Sequence, residues 1–119
     1  MKLIIAGSRD LLVDSDFIDA MIKFYRLNDI TEIVSGGGGN VDEVGEDWCS
    51  ISLEKEPKIF KANWAQEGVA AGPIRNSKMA EYGDALLLIW DGKSKGSKSM
   101  REEMAKRKKP IYEIVVRTV

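Results

Sequence analysis

Apolar and polar positions alternate in blocks along the chain, and the blocks change period. Leu3-Ile4-Ile5-Ala6 is a continuous apolar run that stops at Gly7-Ser8. Such a run suits a parallel strand buried on both faces. Asp14-Ser15-Asp16 reads as a helix start, because short polar side chains satisfy free backbone N–H groups. Phe17, Ile18, Met21, Ile22 and Tyr25 then recur at helical spacing. Ile30 to Val34 reads as a second strand that runs into Ser35-Gly36-Gly37-Gly38-Gly39. Asn40 is positioned to cap the next helix, on which Val41, Val44, Trp48 and Ile51 share a face. Pro57 to Lys61 is a weaker strand, placed at an edge by its lysines. Trp64 to Gly72 reads as a loop, and Pro73 falls in the first turn of a helix through Tyr82. Asp84 to Trp90 is the strongest strand signal and belongs at the centre of a sheet. The loop Asp91 to Ser97 follows. Ser99 with Glu102 predicts a capping box for a helix to about Lys108, and Pro110 to Val116 the last strand.

Five strands thus alternate with four helices. The order predicts one α/β domain over residues 1–119, Rossmann-like and doubly wound. Its five-stranded sheet is mostly parallel, with helices on both faces as a three-layer sandwich. Ligands of such folds bind beyond the carboxyl ends of the strands, where strand order reverses.

Composition narrows the chemistry. The 119 residues fit one domain, and 44% hydrophobic with 31% charged residues is an ordinary globular balance. No apolar run nears the roughly 20 residues that span a bilayer, and the short run at Leu3 reads as a strand rather than a signal peptide. The expectation is a cytoplasmic protein without a membrane partner. The single cysteine, Cys49, allows no internal disulfide and no zinc cluster. The chain has no histidine, which removes imidazole acid–base catalysis and His-ligated metal. No metal or other cofactor is called for. The net charge of -1 supplies no basic field for nucleic acid. The run Lys106 to Lys109 reads as a solvated helix end meeting the helix dipole.

Eleven glycines are the unusual feature, four of them in one run. In a parallel sheet, three strand ends open onto one edge: Gly7-Ser8-Arg9, the glycine run, and Asp91 to Ser97. Glycine lets backbone N–H groups approach a ligand, and a following helix adds its dipole, so the combination favours an anion such as phosphate. A single glycine turn is commonly only a tight turn; three at one edge point to a ligand site. The binding set is Gly7, Ser8, Arg9, Ser35, Gly36, Gly37, Gly38, Gly39, Asn40, Asp42, Arg75, Asn76, Trp90, Asp91, Gly92, Ser94, Gly96 and Ser97. The arginines suit bidentate contact with phosphate. No Gly-Lys-Ser/Thr closes the run, so it is not a Walker loop, nor is it a full dinucleotide motif. Trp64 and Trp90 are candidates to stack on a base, whereas Trp48 lies on an apolar helix face. Asp42 and Glu46 share one helix face near the glycine run. They suit ribose hydroxyls or acid–base work, against the bland alternative of solvated helix carboxylates.

These residues form an ordered set: Gly7-Ser8-Arg9; Ser35-Gly36-Gly37 with Asp42, Gly45 and Trp48; Ala71-Gly72-Pro73-Ile74-Arg75-Asn76 with Met79; and Trp90-Asp91-Gly92 with Ser94, Gly96 and Ser97. The set resembles the small YspA / cpYpsA-related branch of the SLOG superfamily, known in bacteria and phages, from Lys2 to about Ile114. The superfamily is similar to the Lonely Guy phosphoribohydrolases, which cleave the base from a nucleoside 5′-monophosphate. Other members bind nucleotide-derived ligands as sensors. The resemblance implies a nucleotide or nucleotide-derived ligand, with phosphate on the glycine loops. It also implies a homodimer or higher homo-oligomer in a bacterial cell or phage-infected host.

Two departures bear on turnover. The hydrolases' catalytic glutamate falls near Ser99 here, with Glu102 and Glu103 a turn later. Where close relatives carry Gly-Gly-Ala-Arg-Gly-Ala-Asp, this chain has Gly36 to Asp42 without the arginine. The expected function is therefore binding, as a sensor or sequestering module. The alternative is an N-glycoside hydrolase or transferase on nucleoside 5′-monophosphates, with Asp42 and Glu46 as its catalytic residues. A third reading keeps the fold as a partner-binding domain without a live pocket.

Overall fold

The computed structural model describes residues 1–117. Five strands form one all-parallel sheet in the order β3-β2-β1-β4-β5. They are β1 (Lys2–Gly7), β2 (Glu32–Ser35), β3 (Lys58–Ile59), β4 (Ala85–Trp90) and β5 (Ile111–Val115). The helices are α1 (Ser15–Phe24), α2 (Asn40–Trp48), α3 (Trp64–Glu67), α4 (Ala71–Tyr82) and α5 (Lys95–Lys106). The α/β doubly wound architecture is as the strand pattern predicts.

The continuous apolar runs follow from burial on both sheet faces. Every residue of β4 is buried. Successive side chains of a strand point to opposite faces, so one run feeds two cores. Leu3, Ile5, Ile33, Leu87 and Ile89 pack with Ile18 and Ile22 of α1 and Val41 and Trp48 of α2. Ile4, Ala6, Val34, Leu86 and Leu88 pack with Met79 and Ala80 of α4 and Met100 and Met104 of α5. The chain winds outward from β1 to β2 and β3, then crosses to β4 on the other side of β1. The switch point therefore lies between β1 and β4, at Gly7 and Trp90.

Gly7 is required there by close approach. A Cβ at this position would stand 1.9 Å from the Ile89 carbonyl oxygen and 2.9 Å from Val41. The Ser8 N–H donates to the same Ile89 carbonyl, 3.2 Å away, so the two strand ends are bonded at the crevice.

Several local expectations are corrected. β2 begins at Glu32 rather than Ile30. Gly39, with φ +110°, is the cap residue of α2, and Asn40 is its first helical residue. The Asn40 side chain instead donates to the Leu11 carbonyl at 2.8 Å, while its N–H donates to the Arg9 carbonyl at 2.9 Å. A π-helical turn over Cys49–Leu53 follows α2 and rotates Ile51 off the apolar face, leaving it 72% exposed. The segment expected to be a loop, Trp64 to Gly72, is mostly helical: α3, a 3-10 turn over Gly68–Ala70, and the start of α4. Helix α5 begins before Ser99. Its cap is Ser94, whose Oγ accepts from the Ser97 N–H at 3.4 Å.

The basic run ends α5 but serves a neighbouring helix too. Lys109 Nζ donates to the carbonyls of Ala80, Glu81 and Gly83 within 2.7–2.9 Å, capping the C-terminus of α4. Arg107 pairs with Glu103 at 2.7 Å and reaches the Ser77 hydroxyl.

Candidate functional site

The carboxyl ends of β1 and β2 and the N-terminal turns of α4 and α5 enclose a cavity of about 430 Å³. Its walls draw on four parts of the chain. Gly7 and Arg9 come from the end of β1, and Gly36, Gly38 and Asp42 from the glycine run and α2. Trp64 and Val69 come from α3 and the turn after it. The remaining wall is Gly72, Pro73, Arg75, Asn76 and Met79 of α4 against Ser94 to Ser97, Ser99 and Met100 of α5.

Asp42 and Arg75 set its electrostatics. Asp42 is 7% exposed, and its Oδ2 accepts from the Gly38 N–H at 3.0 Å. Burial pushes its carboxyl up to about 6, against the opposing pull of the Gly38 N–H, Arg75 and Arg9. Arg75 is half-buried, and burial draws its guanidinium downward from its ordinary value while Asp42 pulls it back. It stays protonated, as arginine does in proteins. Its Nη1 donates to the Gly36 carbonyl at 3.0 Å and its Nε to Asn76 Oδ1 at 3.1 Å. Asn76 is buried, and its Nδ2 reaches the Gly96 carbonyl and the Ser99 hydroxyl, each at 3.3 Å.

Ser97 differs from these. It is 4% exposed, lines the cavity in the first turn of α5, and its hydroxyl has no hydrogen-bond partner among the described residues. Buried hydroxyls are ordinarily partnered.

Ten of the expected site residues line this cavity: Gly7, Arg9, Gly36, Gly38, Asp42, Arg75, Asn76, Ser94, Gly96 and Ser97. The others are engaged elsewhere. Ser8 is buried and its Oγ accepts the Asp91 N–H at 3.0 Å, so it staples β1 to β4. Asp91 in turn accepts the N–H groups of Lys93 and Ser94, which hold its carboxyl below the usual carboxylate range. Ser8 and Asp91 border a second, separate cleft of about 370 Å³ that shares Arg9 and Ser94 with the first. Gly92, with φ +81°, shapes the turn beside Val115. Ser35 lies beneath the glycine run, donating to Glu46 Oε2 at 2.6 Å and accepting the Gly37 N–H at 3.1 Å. Glu46 is thus spent on supporting the loop and does not line the cavity. Gly37 packs toward Ile59, and Gly39 against the Arg9 backbone. Trp90 is buried in the α4–α5 core with its indole N–H on Glu113, 2.7 Å away, so it presents no face to a ligand.

Besides Trp64, eight lining residues lie outside the expected binding set: Ala6, Val69, Gly72, Pro73, Met79, Lys95, Ser99 and Met100. Lys95 and Ser99 carry a findable signal, because a helix beginning at Ser94 turns its first residues toward the strand ends. The methionines carry none, being ordinary core positions of amphipathic helices.

The chain is similar to the Gene 61 protein of Mycobacterium phage D29. The two are 26% identical over 116 residues, which cover 92% of this chain and 93% of that protein. No protein-family model and no solved structure matches the chain. No helix among the described residues is long and apolar enough to cross a membrane.

Proposed function

We propose that this protein binds a nucleotide or nucleotide-derived ligand in the cavity beside β1, as a sensor or a sequestering module. The observation that carries the reading is the unpartnered Ser97 hydroxyl, buried in the first turn of α5 on the cavity wall. Helix first turns lack intrahelical acceptors for their N–H groups. Ser94 takes that of Ser97, and those of Lys95 and Gly96 remain for an anion, aided by the helix dipole. Arg75, Arg9 and Lys95 supply positive charge to the same cavity. A phosphate there satisfies the Ser97 hydroxyl and meets both cations and N–H donors. Asp42, with one oxygen on Gly38, has its other oxygen for ribose hydroxyls. The SLOG resemblance implies such a module acting as a homo-oligomer, and the phage relative supports placing it in an infected cell.

Thermal melting against a panel of nucleoside phosphates, nucleosides and inorganic phosphate tests the reading. Phosphate-bearing nucleotides are expected to raise Tm, by about 2.7 kcal/mol of stabilisation at one hundred times Kd. If no phosphate-bearing probe raises Tm, the reading is wrong.

A hydrolytic reading has one observation of its own. Asp42 is a buried cavity carboxyl shifted to about 6, as acid–base groups often are. It would protonate the departing base while water takes its place at the sugar, giving free base and ribose 5-phosphate. Against it, the resemblance puts the hydrolase glutamate near Ser99, whose hydroxyl accepts from Asn76. Glu102 is exposed and Glu103 is paired with Arg107. Base release from a nucleoside monophosphate, lost in Asp42→Asn, supports turnover; its absence across the four common bases removes it.

A further inference from the structure

The three tryptophans have different fates. Trp48 is buried with its indole N–H on Asp19 at 3.1 Å, and Trp90 is buried on Glu113. Trp64 lines the cavity and is 55% exposed. Val69, also on the cavity wall, is 94% exposed. A large indole left half in water forgoes much of the stabilisation that burial supplies, so the fold itself gives little reason for placing it there.

The short helix that carries it is capped at its start. Helix α3 has only four residues, and Asn63 pins it at both polar atoms: Oδ1 accepts the Gln66 N–H at 3.2 Å, and Nδ2 donates to Gln66 Oε1 at 2.8 Å. The six-membered ring of Trp64 leans over Gly72 at the start of α4. A Cβ on Gly72 would sit 3.4 Å from Cη2 and 3.9 Å from Cζ2, so the ring edge rests on bare backbone. Four residues along α4, Asn76 touches the first turn of α5 at the Gly96 carbonyl. Gly72, beneath the ring, and Asn76, at the anion cradle, are one turn apart on α4, about 6 Å along its axis. That interval is filled by one sugar when a planar ring and a phosphate occupy its two ends.

We propose that Trp64 is the residue that selects the ligand's ring: it stacks on a heteroaromatic base, so the ligand class is a nucleoside 5′-phosphate and not a bare sugar phosphate. This rests on the reading that the cavity takes a phosphate-bearing ligand. Val69, on the same cavity wall, offers a further apolar side chain. An aromatic face accepts any base, so Trp64 separates ligands with a ring from those without one, and leaves the choice among bases to other contacts.

The test titrates wild type, Trp64→Ala and Trp64→Phe with the four common nucleoside 5′-monophosphates and with ribose 5-phosphate. Binding is followed by calorimetry, and iodide quenching of indole emission reports the exposed Trp64. At least one nucleotide is expected to bind wild type about tenfold or more tighter than ribose 5-phosphate and to shield Trp64 from iodide. Trp64→Ala should erase that preference by weakening nucleotide binding about tenfold or more, and Trp64→Phe should keep most of it. Equal binding of ribose 5-phosphate and every nucleotide to wild type overturns the proposal while the phosphate site stands. A nucleotide preference that survives in Trp64→Ala overturns it as well. Failure of all five probes to bind overturns the phosphate reading, and this inference with it.

Discussion

Arg75 donates from Nη1 to the carbonyl of Gly36, 3.0 Å away, and so ties α4 to the loop after β2. Its neighbour Asn76 reaches the Gly96 carbonyl at the start of α5. Arg75 Nε and Asn76 Oδ1 are themselves bonded. Two adjacent side chains thus bridge the two glycine loops across the cavity, and one loop cannot move without straining its bond to the other.

Replacing Arg75 should therefore loosen the site in two separable ways. Arg75→Ala removes a charged hydrogen bond to a carbonyl, worth about 1.5–3 kcal/mol, and lowers Tm. It also removes the stronger of the two cationic pulls on Asp42, whose carboxyl rises further above about 6. Arg75→Lys restores charge without the planar fork, so it should recover the Asp42 titration and not the full Tm. Carboxyl ¹³C titration and thermal melting read the two effects. A Tm unchanged in Arg75→Ala shows that the bridge contributes nothing to the fold.

Ser97→Ala should act with opposite signs on stability and on binding. Its hydroxyl is a buried polar group without a partner, and such groups cost roughly 1–3 kcal/mol. Its removal should raise the Tm of the free protein by a few degrees. The same change removes a donor from the proposed phosphate cradle, so nucleotide affinity should fall about tenfold. Melting curves with and without nucleotide measure both. Lower stability of the free variant contradicts the picture of an unsatisfied hydroxyl.

Gly7→Ala tests the crevice. The new Cβ would meet the Ile89 carbonyl, a backbone atom already accepting the Ser8 N–H, so no side-chain rotation relieves the clash. β1 and β4 must separate at their ends, and a loss of at least about 3 kcal/mol is expected in urea melts. A loss under about 1 kcal/mol shows that the strand ends yield.

The fold was legible because its signals are redundant. Leu3 to Ala6 and Ala85 to Trp90 are continuous apolar runs that only a sheet covered on both faces can bury. The cavity was legible through backbone chemistry: Gly7, Gly36, Gly38 and Gly96 line it. The failures concern side-chain direction. Ser8, Ser35 and Trp90 have the right chemistry at the right strand ends, yet each is turned into the protein toward Asp91, Glu46 and Glu113. Each of those bonds joins residues between 11 and 83 positions apart, and no local pattern encodes such pairings. The capping residue of α5 was missed for a related reason. Ser99 with Glu102 matches the local capping pattern, yet the chain leaving β4 enters the helix five residues earlier, at Ser94.

Asp42 makes the stability of this protein depend on pH in a direction opposite to most carboxylates. Its folded value of about 6 lies above its ordinary 3.8, so the folded state binds the proton more tightly than the unfolded one. Its contribution is fully present below pH 4 and is lost as pH rises through about 6, at a cost of about 3 kcal/mol above that. Asp19, Asp91 and Glu103 are shifted downward and act in the reverse sense, gaining as pH rises out of the acid range. The Asp42 share is isolated by comparing wild type with Asp42→Asn, which keeps an oxygen for the Gly38 N–H and carries no charge. The variant should be the more stable protein at pH 7.5, with the gap closing as pH falls from about 6 to 4. Urea melts of both proteins across that range measure it. A gap that stays constant with pH shows that Asp42 titrates at its ordinary value, and that its burial is relieved by water or by a closer approach of Arg75.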